Sequence, residues 1–332
     1  MKKLAASLAA LALLSAAAFA SDAIPVTAVK VASFHMLPQK TTFGPLEWRG
    51  GIELRSTDGR FGGISSIALA KDGTTLLAVS DRGLWFKGRL EYTDGKLTGI
   101  ADTELAPIRN DKGGITKGKV RNDSEAMALW EPGVVNGKVI VGYESRPRAG
   151  VFDLKRSGFA APFKDLNLPK AVAKGPGNQE LEAIGRFPKG PYAGSLIAIS
   201  ENNKDANGDI RAWVWGGRKN FEFTIKTFED YLITDLAFLP DGNILTIERA
   251  FSGSALPGMA IREITTDDII AGGAVAPRLV FSGRLPFYLI DNMEGIAVFQ
   301  TPDGETRVMV ASDNNYRTDL QRTLLLQFAL KR

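Results

Sequence analysis

The 332-residue chain has 41 Lys and Arg against 37 Asp and Glu, no cysteine and one histidine, His35. Without cysteine there are no disulfides and no thiolate metal sites. A single histidine excludes a His-rich zinc centre, argues against a Ser-His-Asp triad, and is read as a surface or packing residue. The formal charge of +4, or +2 without Lys2 and Lys3, lacks the basic excess expected of a nucleic-acid binder.

The chain opens Met1-Lys2-Lys3 and runs apolar to Ala18-Phe19-Ala20. A charged start, a short apolar run and small residues at −3 and −1 describe a secretory signal peptide, cut after Ala20. The run is too short for a spanning helix. No cysteine follows it, which excludes a lipoprotein anchor. These features predict a soluble protein of the periplasm or the medium that does not insert into the membrane after cleavage. Residues 21–332 are expected to form one domain, and nothing in them requires an oligomer, so a monomer is expected.

Two short patterns then alternate. The first opens a strand: Ser65-Ser66-Ile67-Ala68, Glu125-Ala126-Met127-Ala128, Glu182-Ala183-Ile184-Gly185, Thr234-Asp235-Leu236-Ala237 and Glu294-Gly295-Ile296-Ala297. Asp-Gly turns follow in three of the five, at Asp72-Gly73, Asp241-Gly242 and Asp303-Gly304. The second pattern ends a strand on an acid: Val79-Ser80-Asp81, Gly142-Tyr143-Glu144, Ile199-Ser200-Glu201, Ile247-Glu248 and Ala311-Ser312-Asp313. Apolar runs of this length suit buried strands. Further runs at residues 84–92, 99–108, 211–215 and 221–228 complete at least two repeats as four-stranded units. Helix is scarce, with one short turn expected at residues 265–270.

Repeated four-stranded units predict an all-β chain folded as a β-propeller. Five blades are counted. A sixth could be built from residues 22–60 with the tail. The last repeat stops at its third strand, residues 323–330, and residues 46–55 could supply the fourth, closing the ring through the two chain ends.

In antiparallel neighbours, the start of one strand lies beside the end of the next. The two patterns therefore bring acids to one mouth of the channel. Glu125, Glu182 and Glu294 come from strand starts, and Asp81, Glu144, Glu201, Glu248 and Asp313 from strand ends. Asp123, Glu180, Asp235 and Asp291 lie nearby, with Asn122, Asn178, Asn202, Asn292 and Asn314 as neutral oxygens. Crowded carboxylates need compensation, and a hard cation supplies it: Ca2+ takes six to eight oxygen ligands. The candidate ligands of Ca2+ or another divalent metal are Asp81, Asp123, Glu125, Glu182, Glu201, Asp291, Glu294 and Asp313. Glu125, Glu182 and Glu294 are also the candidate catalytic carboxylates, with Arg82 and Arg249 to hold a substrate anion. Arg146, Arg317 and Arg322 are further basic residues near the mouth. Acid–arginine pairs tying blades together would be the purely structural use of the same residues. No nucleophile elbow, P-loop or Rossmann fingerprint is present.

Phe61-Gly62-Gly63-Ile64-Ser65, Ser80-Asp81-Arg82-Gly83, Asn122-Asp123-Ser124-Glu125-Ala126, Glu180-Leu181-Glu182-Ala183 and Asn292-Met293-Glu294-Gly295-Ile296-Ala297 together resemble the bacterial phytase-like family, labelled "esterase-like activity of phytase". The resemblance spans about residues 45–330. It implies an exported propeller and a metal-dependent hydrolase of phosphoesters or related esters, acting on a small anionic or ester substrate. A propeller lactonase holding one metal, or a ligand-binding propeller without chemistry, would use the same mouth.

Overall fold

The computed structural model describes residues 21–116, 118–173, 181–250 and 256–332. The signal segment, Glu180, Asn178, Gly175-Pro176-Gly177 and Phe251-Ser252-Gly253-Ser254 lie outside them.

The fold is all-β and propeller-like. Five antiparallel sets of four strands follow one another along the chain. The first is Ile64–Leu69, Thr75–Ser80, Leu84–Thr93 and Lys96–Pro107. The second is Ser124–Leu129, Lys138–Tyr143, Arg148–Asp153 and the short Lys164–Asp165. The third is Ala183–Arg186, Leu196–Lys204, Ile210–Trp215 and Phe221–Ile225, with Ala274–Val275 added in parallel at its edge. The fourth is Leu232–Phe238, Ile244–Ala250, Gly258–Ile264 and Arg278–Arg284. The fifth is Asn292–Gln300, Thr306–Asp313 and Thr323–Leu330, completed by the N-terminal strand Leu46–Ser56, which pairs antiparallel with Thr323–Leu330.

Residues 22–60 form no sheet of their own. Val26–Lys30 and Thr42–Phe43 pair with Leu46–Ser56, and Asp22–Ala23 pairs with Lys96–Pro107. A single parallel bridge, Gly50 to Leu97, joins the first and fifth sets into one 11-stranded sheet. Gly50 has φ +92°, and a Cβ there would lie 2.6 Å from the Leu97 carbonyl oxygen, so only glycine permits this approach.

The first strand of each set packs against the first strand of the next, and the fifth against the first. These strands are nearly continuous apolar runs because both faces are covered: Ile67, Met127, Ile184, Leu236 and Ile296 are all buried. Core clusters fill the spaces between neighbouring sets; one spans Leu245, Ile247, Ile296, Val310 and Leu326. Trp213 and Trp215 are buried packing residues, and His35 stacks edge-on against Tyr288. Among the described residues, helix is limited to single turns. The expected turn appears as the 3-10 segment Thr266–Asp268, and the short helices Lys119–Asn122, Leu154–Ser157 and Lys170–Ala173 were not foreseen.

Candidate metal centre

The two repeated patterns occupy ten equivalent positions, two per repeat. Strand starts contribute Ser65, Glu125, Glu182, Thr234 and Glu294. Strand ends contribute Asp81, Glu144, Glu201, Arg249 and Asp313. All but Thr234 line one well, together with Asn292 and Asn315. The well thus gathers seven carboxylates, Asp81, Glu125, Glu144, Glu182, Glu201, Glu294 and Asp313, around one guanidinium, Arg249.

A β-bulge recurs at the strand starts. Pairing skips Ser65, Glu125, Thr234 and Glu294, each opposite an unbroken partner strand. A bulged residue leaves the ladder and its side chain is re-aimed. At Ser65, Glu125 and Glu294 it turns toward the mouth instead of into the sheet packing. Gly63, φ +63°, makes room beside the well: a Cβ there would meet the Asp81 carboxylate at 2.2 Å. This accounts for glycine in the Phe61-Gly62-Gly63 stretch.

Two groups of acids place one oxygen each within 4.8 Å of the others: Asp123, Glu125 and Glu144, and then Glu144, Glu182 and Glu201. Glu144 belongs to both. Burial raises the Glu144 carboxyl to about 7, helped by the charges of Glu201 and Asp123. Burial also lifts Glu182 well above the carboxylate range, with Glu201, Glu125 and Glu144 adding to it. Glu125 is raised by burial and by its hydrogen bond and charge contact with Asp123. Glu294 is pushed up to about 8 by burial, against the pull of Arg249.

Arg249 joins Glu201 of the second group to Glu294. Its Nη2 donates to Glu201 Oε1 at 2.8 Å, its Nη1 to Asn292 Oδ1 at 2.9 Å, and its Nε lies 3.4 Å from Glu294 Oε1. Asn292 Nδ2 in turn donates to Glu294 Oε1 at 2.7 Å. Burial disfavours the Arg249 charge, but Glu294, Glu201 and Glu182 outweigh burial and raise its pKa.

Several expected residues take other places. Glu248 sits one position before the ring, so strand alternation turns it away from the well; it pairs with buried Arg262 at 2.6 Å and accepts from Thr246. Asp235 is offset in the same way. Its carboxylate accepts from Ser66 Oγ at 2.9 Å and from the Ile296 N–H at 3.1 Å, linking three first strands. Asp291 accepts the Arg322 N–H at 3.0 Å and does not line the well. Arg82 is exposed and stacks on Tyr316, 3.3 Å from the ring centre, also outside the well. Asp123 stands just behind Glu125 and accepts from Ser145. Asn314 accepts from the Gly63 and Tyr316 N–H groups. Ser65 and Asn315 line the well without having been foreseen as site residues. Their only sequence signal was position, Ser65 in the glutamate register and Asn315 two residues after Asp313.

The donor set suits a hard cation. Every ligand atom offered is oxygen, one guanidinium stands against seven carboxylates, and burial first, with their mutual repulsion added, raises the pKa of several of them.

The phytase-like family, described as "Esterase-like activity of phytase", matches residues 59–316. Curated protein sequences include no match. Among solved structures, the chain is similar to the N-terminal domain of Nup159, with a TM-score of 0.38 and 10% identity over 87% of this chain and 96% of that one. It is likewise similar to AofleA from Arthrobotrys oligospora, with a TM-score of 0.39 and 13% identity over 76% and 81%.

Proposed function

The chain belongs to the phytase-like family, and from that premise we propose that it is an exported, metal-dependent hydrolase of phosphoesters or related esters, working at the acid well of a single five-bladed propeller. The pairing of Leu46–Ser56 with Thr323–Leu330 supports closure of the ring through the two chain ends. The observation that carries the functional reading is the meeting of seven carboxylates with one guanidinium in a single well. An anionic ester would be repelled from such a well unless cations stood between them.

Ca2+ or a similar ion would be held by Glu144, Glu182 and Glu201, with Asp123 and Glu125 as a second group. Asp81 and Asp313 line the same well and would supply further oxygens. Asp291 is committed to Arg322, which removes it from the ligand set. A bound divalent ion polarises an ester oxygen and lowers the pKa of water. The chain supplies the rest. Glu294, raised to about 8, holds a proton at neutral pH on a carboxyl facing the well and can pass it to a leaving oxygen. Arg249 fixes Glu201 and Glu294 and, among the described residues, is the one cation lining the well that an anionic group would meet.

The test is metal content of the purified protein by mass spectrometry, with melting curves in EDTA and in added Ca2+, followed by phosphoester and lactone panels. A bound ion, a melting point lowered by EDTA and restored by Ca2+, and metal-dependent phosphoester turnover are expected. Absence of metal and of any thermal response would overturn the reading.

A further inference from the structure

Beside the acid well lies a second cavity of opposite character. A cleft of about 600 Å3 is lined by Arg109, Arg121, Arg146 and Arg148 over the rings of Tyr143 and Phe163. Its acids, Asp111 and Asp165, are two against four arginines.

Arginines elsewhere in the chain are mostly ion-paired, among them Arg49, Arg60, Arg249, Arg262 and Arg307. Among the described residues, Arg121, Arg146 and Arg148 make no ion pair. Arg148 is held in place without an acid. Its guanidinium stacks 3.9 Å from the Tyr143 ring centre, and it donates to the carbonyls of Arg146, at 3.2 Å, and Arg121. Burial lowers its pKa, and the charges of Arg146 and Arg121 also lower it, against the opposing pull of Tyr143 and Asp123. Three like charges have thus been brought together and one of them rigidly oriented. Like charges held this close repel one another, and an anion bound between them relieves that repulsion.

We propose that this cleft is an oxyanion site that takes a phosphate or sulfate group, separate from the acid well. The two sites adjoin: Tyr143 lines the cleft and Glu144, the next residue, lines the well. Exposed Ile115 and the Phe163 ring make one wall apolar, which suits an organic group carrying the anion. Resting on the hydrolase reading, the substrate class narrows to esters that bear an anionic group next to the ester to be cleaved. The anion would anchor on the arginines while the ester reaches the well.

The test uses the full mature protein in EDTA at low ionic strength, so that the acid well contributes only repulsion. Inorganic phosphate, and sulfate in parallel, are titrated by calorimetry. Saturable binding of one anion is expected, weakened by added NaCl. Loss of a charge-assisted hydrogen bond should lower affinity about tenfold or more in Arg121→Gln and in Arg146→Gln, both surface positions where folding is undemanding. Arg218→Gln, an arginine remote from the cleft, should leave it unchanged. Absence of saturable binding, or equal binding in the Arg121→Gln/Arg146→Gln double variant, overturns the proposal. Phosphate binding without any metal-dependent turnover would sustain the cleft and sink the hydrolase reading. Turnover with unchanged KM in the double variant would do the reverse.

Discussion

Replacing Arg249 with Met removes the one cation of the well and leaves Glu201 and Glu294 facing five other carboxylates. Removing one partner of a buried pair costs about 3–5 kcal/mol; the Arg249 side chain keeps 26% of its exposure, which brings the expectation to about 2–3 kcal/mol. With about 2.1 cal/mol/K per residue over a folded chain of roughly 310 residues, the melting point in EDTA should fall by about 3–5 °C. The loss should depend on pH. Glu294 is protonated in the folded protein below about 8, but ionises near its ordinary 4.5 when unfolded. Between those values the folded state binds the extra proton, so stability declines as pH rises. Arg249 opposes this by favouring the Glu294 carboxylate. Its removal should therefore cost roughly half as much at pH 5.5, where Glu294 carries a proton in either protein, as at pH 8.5. Added Ca2+ should recover more stability in the variant than in the parent at pH 8.5, because the ion takes over the missing compensation. Differential scanning at both pH values, in EDTA and in Ca2+, measures all four quantities. An equal loss at both pH values would refute the reasoning and reduce Arg249 to a packing residue.

Glu182→Gln keeps size but removes one carboxylate from the group shared with Glu144 and Glu201; Ca2+ affinity by calorimetry should fall about tenfold or more while the EDTA melting point rises, since a raised carboxyl no longer ionises. Glu248→Ala leaves Arg262 buried without its acid and should cost about 3–5 kcal/mol in urea unfolding, with metal content unchanged, because Glu248 faces away from the well. Asp235→Ala strips partners from Ser66 Oγ and from the Ile296 and Leu236 N–H groups. About 2–4 kcal/mol of stability should be lost, again without a change in metal stoichiometry. Loss of bound metal in either of the last two variants at a temperature where they remain folded would contradict the placement of these acids.

Strand identity was legible because apolar runs, Asp-Gly turns and terminal acids repeat with little variation. The N-terminal strand that completes the last set was expected at residues 46–55 and is found at Leu46–Ser56. Residues 22–60, which could have been read as a further unit, instead extend existing sheets, because Val26–Lys30 finds its partner in Leu46–Ser56. The ring of acids was legible as a pattern but not in its fourth member. Glu248 and Arg249 are adjacent, and either could end the strand; with a side-chain period of two, a one-residue difference decides which faces the well. Pairing settles it in favour of Arg249. The bulges at Ser65, Glu125, Thr234 and Glu294 leave no local trace in the sequence, since a bulge is a relation between two strands.

Composition, repetition and alternation thus determined the all-β architecture and the convergence of carboxylates, because both follow from local rules that recur in every repeat. Tertiary structure alone decided which acids stand within reach of one cation, and that Asp291 and Arg82 are engaged elsewhere. It alone gathered Arg109, Arg121, Arg146 and Arg148 into a cleft. Arg109 follows the first strand set, Arg121 sits in the Lys119–Asn122 helix, and Arg146 and Arg148 lie at or just before the start of Arg148–Asp153, so three separate segments with no shared motif meet only through packing.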